Sequence, residues 1–187
     1  MDDLARTAAE AAAGDPLAAA TLVRQTQTDV WRLCAALGDP GSADDLTQET
    51  YLRAFGSLHR FEGRSSVRTW LLAIARRVCA DAVRSRRRRR LTLVREPADL
   101  EVLAPPGAGD AVGESAAVAD LLARLDPDRR EAFVLTQLLG LPYAEAAEVA
   151  GCPVGTIRSR VARARADLVE SLARVGEDTG RSGTAHS

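Results

Sequence analysis

Residues 67–90 read VRTWLLAIARRVCADAVRSRRRRR, with apolar side chains recurring at Val67, Leu71, Ile74, Val78 and Ala82. Steps of four and three are the period of an α-helix and not of a strand. The segment can therefore bury one stripe and must expose the rest. What it exposes is charge of one sign: between Arg64 and Arg90 stand ten arginines and a single acid, Asp81. Arg68, Arg76, Arg77 and Arg84 fall outside the stripe. A helix face that meets only water normally mixes signs to limit self-repulsion. This one does not, although the whole chain is close to neutral, with 25 basic and 26 acidic residues. A cationic helix on a neutral protein suits a polyanion, and nucleic acid is the expected partner.

Composition narrows the fold class. Apolar residues make up 46% of the chain, enough for a packed core, while aromatics are only 4%. Abundant Ala, Leu and Arg favour an all-helical protein over a β-sandwich. Every basic residue is arginine, as a GC-rich genome would dictate, and arginine also forks onto phosphates and guanine edges. Cys34, Cys79 and Cys152 lie far apart, with no CxxC and no histidine pair nearby. That spacing offers neither a zinc site nor a disulfide framework, and no metal or cofactor is expected. The N-terminus lacks the basic start and apolar run of a signal peptide. No apolar stretch reaches the roughly 20 residues that span a bilayer, so no membrane partner is expected and the expected location is the cytoplasm. Only His59 and His186 are present, and no Gly-rich phosphate loop appears. An enzyme is not expected.

The chain divides by pattern. Asp15-Pro16 can start a helix through Leu17, Leu22, Val23, Val30, Leu33 and Cys34, which Gly38-Asp39-Pro40-Gly41 stops. Ser42 is the expected N-cap of the next helix, Ala43 to about Leu58, with Asp44 and Asp45 at its positive end. Its expected core residues are Leu46, Leu52 or Tyr51, and Phe55. After the cationic helix, residues 96–114 carry five acids, three prolines, three glycines and no arginine. No helical period survives there, which reads as a linker. A second helical unit follows. Within it, 142–150 and the stretch from Val154 form a helix, short turn, helix unit around Gly151-Cys152-Pro153, with cationic residues confined to the second helix. That is the form of a helix-turn-helix. The tail from 176 is polar and small and is expected to be disordered.

Together, SADDLTQETYLRAF with FEGRSSVRTWLLAIARRVCADAVRSRRRRR resembles domain two of the extracytoplasmic-function group of bacterial sigma factors. LDPDRREAFVLTQLLGLPYAEAAEVAGCPVGTIRSRVARARADL is similar to their domain four, and the actinobacterial sigma factor C branch is the nearest match. The resemblance implies an all-α chain of two small helical domains joined by a flexible acidic linker. Its expected divisions are an N-terminal extension (1–14), domain two (15–90), linker (91–117), domain four (118–175) and tail (176–187). It implies a dissociable subunit that binds core RNA polymerase and directs initiation at chosen promoters. Asp44, Asp45, Gln48, Glu49 and Arg53 match the segment that grips the β′ clamp helices; domain four meets the β flap. His59, Arg60, Arg64, Ser65, Ser66, Arg68, Arg76, Arg77, Arg84, Arg86 and Arg87 match the part that binds and opens the minus-ten element. Trp70 and Phe61 are expected to pack in the core. Thr156, Arg158, Ser159, Arg160 and Arg163 match the minus-thirty-five reading helix. Pro142 and Pro153 depart from the common pattern, in which a small hydroxyl residue is frequent, and weaken those two helix caps. An anti-sigma protein commonly holds such chains inactive.

The linker of 27 residues, Leu91 to Ala117, reaches at most ~90 Å fully extended. Two turns of DNA span ~70 Å, so one chain can touch both promoter elements. Glu96, Asp99, Glu101, Asp110 and Glu114 either mimic nucleic acid in a basic channel, mask the Arg86–Arg90 run, or keep the linker solvated. The rival reading is an autonomous helix-turn-helix regulator. It accounts for the second unit and leaves the DDLTQE helix and the cationic helix without a role.

Overall fold

The structure, a computed structural model, describes residues 3–39, 41–93 and 113–182. Within them the chain is a set of packed helices. α1 (Asp3–Ala12) and α2 (Pro16–Leu37) lie against each other, and α3 (Ala43–Ser57) and α4 (Val67–Leu93) complete the first unit. The Asp15 carboxylate caps α2, accepting from Leu17 N at 2.8 Å and Ala18 N at 3.3 Å. Such a cap contributes about 1 kcal/mol. Ala18, Leu22, Thr26, Val30, Leu33 and Cys34 form the buried face of α2, while Leu17 is exposed. α1 also contributes to the packing, with Thr7 and Ala8 buried.

Gly38 allows α2 to end where it does. A Cβ there would lie 2.5 Å from Leu46 Cδ1 and 2.6 Å from Cys34 O, so only glycine lets α3 fold back this closely. Ser42 occupies the N-cap position but does not cap: its hydroxyl donates backwards to Asp39 O at 2.6 Å. α3 buries Leu46, Thr50, Tyr51 and Ala54. Of the alternatives Leu52 and Tyr51, it is Tyr51 that is buried and Leu52 that is exposed; Phe55, expected inside, is exposed. Tyr51 takes the interior because its polar tip finds a partner there, with its OH 2.7 Å from Thr26 Oγ1. Phe55 stays at the rim, its ring 6.2 Å from that of Tyr51.

α4 buries Val67, Leu71, Ile74 and Val78 as the spacing requires, with Ala82 half-buried. Thr69, Leu72, Ala75 and Cys79 are buried as well. The extra width is explained by the second unit, which lies directly on α4.

That unit comprises α5 (Gly113–Ala123), α6 (Pro127–Phe133), α7 (Tyr143–Ala150) and α8 (Val154–Ser182). Asp126 caps α6 through Asp128 N at 3.0 Å. One wide turn, Leu139 N to Val134 O at 2.9 Å, carries the chain from α6 toward α7. α7 packs on α4, and α6 on α2. One continuous apolar cluster runs through both units. The two helical domains are present, but they are docked rather than held apart.

Helix extends into the expected connector 91–117 from both sides. α4 runs on through Leu93 and α5 begins at Gly113, where the Ala- and Leu-rich sequence propagates helix readily. Glu96, Asp99, Glu101 and Asp110 lie outside the described residues, and so does any test of their role. α8 continues to Ser182 instead of ending near 175, since extending an existing helix carries no new nucleation cost. Residues 183–187 lie outside the described residues.

Candidate nucleic-acid interface

Three surfaces carry the candidate residues. The first is the outward face of α3. Asp44 Oδ1 accepts from Trp31 Nε1 at 2.8 Å, so this carboxylate also fixes the indole on α2. Asp45 and Gln48 are exposed and Glu49 is half-buried. Arg53 is tied to two acids, donating from Nε to Glu49 at 2.7 Å and from NH1 to Asp81 at 2.9 Å. Arg53 and then Arg84 hold the Asp81 carboxyl below its usual range. Leu52, 71% exposed, sits one turn beyond Gln48 on this same face. The sequence pattern leaves Leu52 and Tyr51 as alternatives for the core and gives Leu52 no binding role. The helical period from the buried Leu46 and Thr50 places position 52 outside and could have found it.

The second surface is the 58–66 loop with α4. A short 3₁₀ turn, Leu58–Arg60, buries Leu58 and leaves His59 and Arg60 exposed. Phe61 and Trp70 pack on the core as expected, ring centroids 5.2 Å apart. They also wall a small cavity of about 230 Å³ with Arg60, Glu62, Arg64 and Ser65. Arg64 Nε donates to Glu62 at 2.7 Å. Ser66 is spent on the backbone, its Oγ accepting from Thr69 N at 3.0 Å at the start of α4.

Along α4 the arginines separate into two groups. Arg77 and Arg87 are exposed. Arg84 pairs with Asp81 at 2.5 Å and Arg86 with Asp39 at 2.9 Å. Arg68 and Arg76 face the second unit. Arg68 donates from Nε to Asp29 at 2.7 Å and from NH2 to Leu139 O at 2.6 Å. Arg76 Nε donates to Glu131 Oε1 at 2.6 Å, and Thr69 Oγ1 to Glu145 Oε2 at 2.6 Å. The expectation that Arg68 and Arg76 lie on an open cationic side is therefore corrected: α6, α7 and the turn between them cover that side. Burial pushes the Glu131 carboxyl above its usual range, with Arg76 opposing. No periodicity could reveal a cover supplied by residues about 55 to 76 positions away.

The third surface is the helix-turn-helix. α7 ends at Gly151 in the left-handed region at φ 66°, and Cys152 N closes the turn on Ala147 O at 3.1 Å. This is a glycine-dependent helix stop. Buried Ala146, Ala147 and Ala150 on α7 meet Ile157, Val161 and Ala164 on α8. Pro142 stands at the N-cap of α7 and supplies no side-chain cap, in line with the weaker cap expected there. Arg158, Ser159 and Arg163 project outward, and Thr156 is half-buried. Arg160 differs: it pairs with Asp128 on α6 and reaches Cys152 Sγ at 3.7 Å. Its guanidinium closes the unit instead of standing free. Arg165 donates to Gln137 at 2.7 Å and Arg129 to Asp167 at 2.7 Å.

Among the described residues no helix is long and apolar enough to cross a membrane. No group of three or more His, Cys, Asp or Glu among them could hold a metal.

Sigma-70 region 2 matches residues 22–89, and Sigma-70, region 4 matches residues 115–168. The chain is 54% identical over 173 residues to the ECF RNA polymerase sigma factor SigC of Mycobacterium tuberculosis, covering 90% of this chain and 91% of that protein. It is 34% identical to the RNA polymerase sigma factor CnrH of Cupriavidus metallidurans, over 86% of this chain and 90% of that one. Among solved structures it is similar to CnrH in complex with the cytosolic domain of CnrY. That match has a TM-score of 0.71 at 31% identity, with 92% of this chain and 99% of that chain covered. The sigma factor RpoE of Bartonella quintana, in complex with the anti-sigma factor NepR, aligns at TM-score 0.64 and 29% identity over 79% and 91% of the two chains. The chain belongs to the extracytoplasmic-function sigma factors of the sigma-70 family.

Proposed function

We propose that this sigma factor binds core RNA polymerase through the outward face of α3 and directs it to a subset of promoters in the cytoplasm. The chain supplies no catalytic step of its own. Its division of labour follows residues 15–90 and 118–175, with 91–117 connecting them. Asp45, Gln48, Glu49 and the exposed Leu52 form a clamp-binding face in which polar groups surround an apolar centre. The loop from His59 to Ser66 and the arginines of α4 engage the minus-ten strand. Phosphate pairing and the Phe61–Trp70 cavity suit a separated strand with an unstacked base. Thr156, Arg158, Ser159 and Arg163 engage the minus-thirty-five element, arginine on base edges and hydroxyls on phosphates.

The docked arrangement adds an order of events. Arg68 and Arg76 are satisfied by the second unit, so full minus-ten engagement requires the two units to separate. The α3 face lies outside that contact and can meet polymerase first. Because CnrH and RpoE are found with the cytosolic domain of CnrY and with NepR, an anti-sigma protein is also proposed as a regulator here.

The observation that carries this reading is the α3 face beside two separate arginine surfaces on one chain. An autonomous regulator has no use for that face. Run-off transcription with purified core polymerase on a genomic promoter library tests it. Discrete start sites that depend on the chain are the expected result. Equal transcription with and without the chain would remove the proposal.

A further inference from the structure

Trp31 is a large aromatic side chain that the core does not use. It stands on α2, 46% exposed, yet it is not loose, because its Nε1 donates to Asp44 Oδ1 on α3 at 2.8 Å. A ring held in this way has already lost the rotamer freedom that binding a partner would otherwise remove. The indole also walls a cavity of about 530 Å³ between α2 and α3, with Gln27 and Thr28 beside it and Asp44, Thr47 and Gln48 on the α3 side. One apolar wall within a polar rim is how a protein interface takes in an apolar side chain of its partner.

The cavity continues into the α3 face. Asp44, Gln48 and Leu52 are spaced four apart and form one row along the helix. Trp31, fixed to Asp44, stands at one end of that row, and the 71%-exposed Leu52 stands at the other. From Asp44 to Leu52 the axis rises ~12 Å, a little over two turns. Two apolar groups so spaced, with Gln48 between them, match apolar residues two turns apart on a helix laid alongside α3.

We infer that Trp31 is an anchor of the polymerase contact, and that Asp44 is a positioning residue for its indole rather than an ion-pair partner of the polymerase. The inference rests on the reading that the α3 face binds core polymerase, and it extends that face onto α2. The resemblance counts Asp44 among the groups that grip the clamp, where its charge would matter. Here Asp44 Oδ1 already holds the indole N–H, and that bond needs an acceptor oxygen, not a charge. Asparagine offers the same oxygen and alanine offers none, so the two roles separate by substitution.

The test is titration of the full chain against labelled core polymerase at low and high salt, with thermal unfolding of each variant alongside. Trp31→Ala should weaken binding about tenfold or more. Asp44→Asn should stay within about twofold of the parent at both salts, because the acceptor remains. Asp44→Ala should weaken binding about fivefold by freeing the ring. Trp31→Phe keeps a ring but has no N–H to be held, so adding Asp44→Ala to it should cause no further loss. That pair keeps the test readable even where alanine at position 31 loosens α2 from α3. Equal losses for Asp44→Asn and Asp44→Ala, larger at low salt than at high, would make Asp44 an ion-pair partner and overturn the inference. So would a Trp31→Ala chain that binds like the parent. A larger radius of gyration for that chain would give the indole to the second unit, across the groove it shares with Val118 and Leu122. Failure of the parent itself to bind core polymerase would bring down the α3 reading, and this inference with it.

Discussion

Arg76 on α4 donates from Nε to Glu131 Oε1 on α6 at 2.6 Å, and the carboxylate side chain is only 11% exposed while the arginine is 34% exposed. An arginine expected to touch DNA is thus held by the other half of the same chain. The two partners should respond differently to substitution. Removing Arg76 leaves a buried carboxylate uncompensated, whereas removing the charge of Glu131 does not. Arg76→Ala should loosen the docked units by up to about 3 kcal/mol, while Glu131→Gln should stay within about 1 kcal/mol of the parent. Small-angle scattering reads this directly, with a larger radius of gyration for Arg76→Ala alone.

The same carboxyl gives a pH signature. Burial raises Glu131 above its ordinary value, so the native protein binds that proton more tightly than the unfolded chain does. Its contribution to stability is full below the ordinary carboxylate value and is lost as pH rises through the raised one. Asp81, held low by Arg53 and Arg84, contributes with the opposite sign, so the readout must be a difference. Chemical unfolding of the parent relative to Glu131→Gln, from about pH 4 to pH 7, should show the parent's relative stability falling as pH rises. A flat or rising difference contradicts the assignment.

Much of this architecture is written in the sequence, and its limits have physical causes. The α4 stripe and the helix start at Asp15 follow from local period and hydrogen-bonding chemistry, and so does the Gly151 turn. What local pattern cannot supply is which acid meets which arginine across the units. Glu131 and Glu145 look like ordinary helix-surface acids until α6 and α7 dock on α4. Phe55 fails for another reason, and the choice between Leu52 and Tyr51 stays open for the same one. Apolar character says what prefers to be buried, but position on the helix decides which side chain is. Tyr51 wins because Thr26 satisfies its hydroxyl.

Leu52 yields a prediction at the polymerase face. An apolar side chain this exposed adds little to folding, so Leu52→Ala should change stability by no more than about 0.5 kcal/mol. At the centre of a protein interface the same truncation costs more, and affinity for core polymerase should fall about tenfold. Titration against labelled core polymerase, paired with thermal unfolding, separates the two effects.

On α8 the arginines should divide by where they already point. Arg158 is exposed, while Arg160 is anchored to Asp128 and Cys152. Loss of a direct base contact is worth about 1–3 kcal/mol of discrimination. Arg158→Ala should therefore erode preference for the upstream element by about tenfold or more. Arg160→Ala should lower the unfolding midpoint and change promoter preference less. Promoter competition with the reconstituted holoenzyme measures both. Equal losses of preference would place Arg160 on the DNA after all.

The account rests on one chain meeting a protein clamp and promoter DNA together, with the clamp contact made first. Fluorescence anisotropy of a labelled promoter fragment, titrated with the chain alone and with the chain plus core polymerase, tests this most directly. The account predicts sequence-specific binding only when polymerase is present, with the chain alone showing weak, salt-sensitive association. Tight specific binding by the chain alone, or no gain in specificity on adding polymerase, contradicts it.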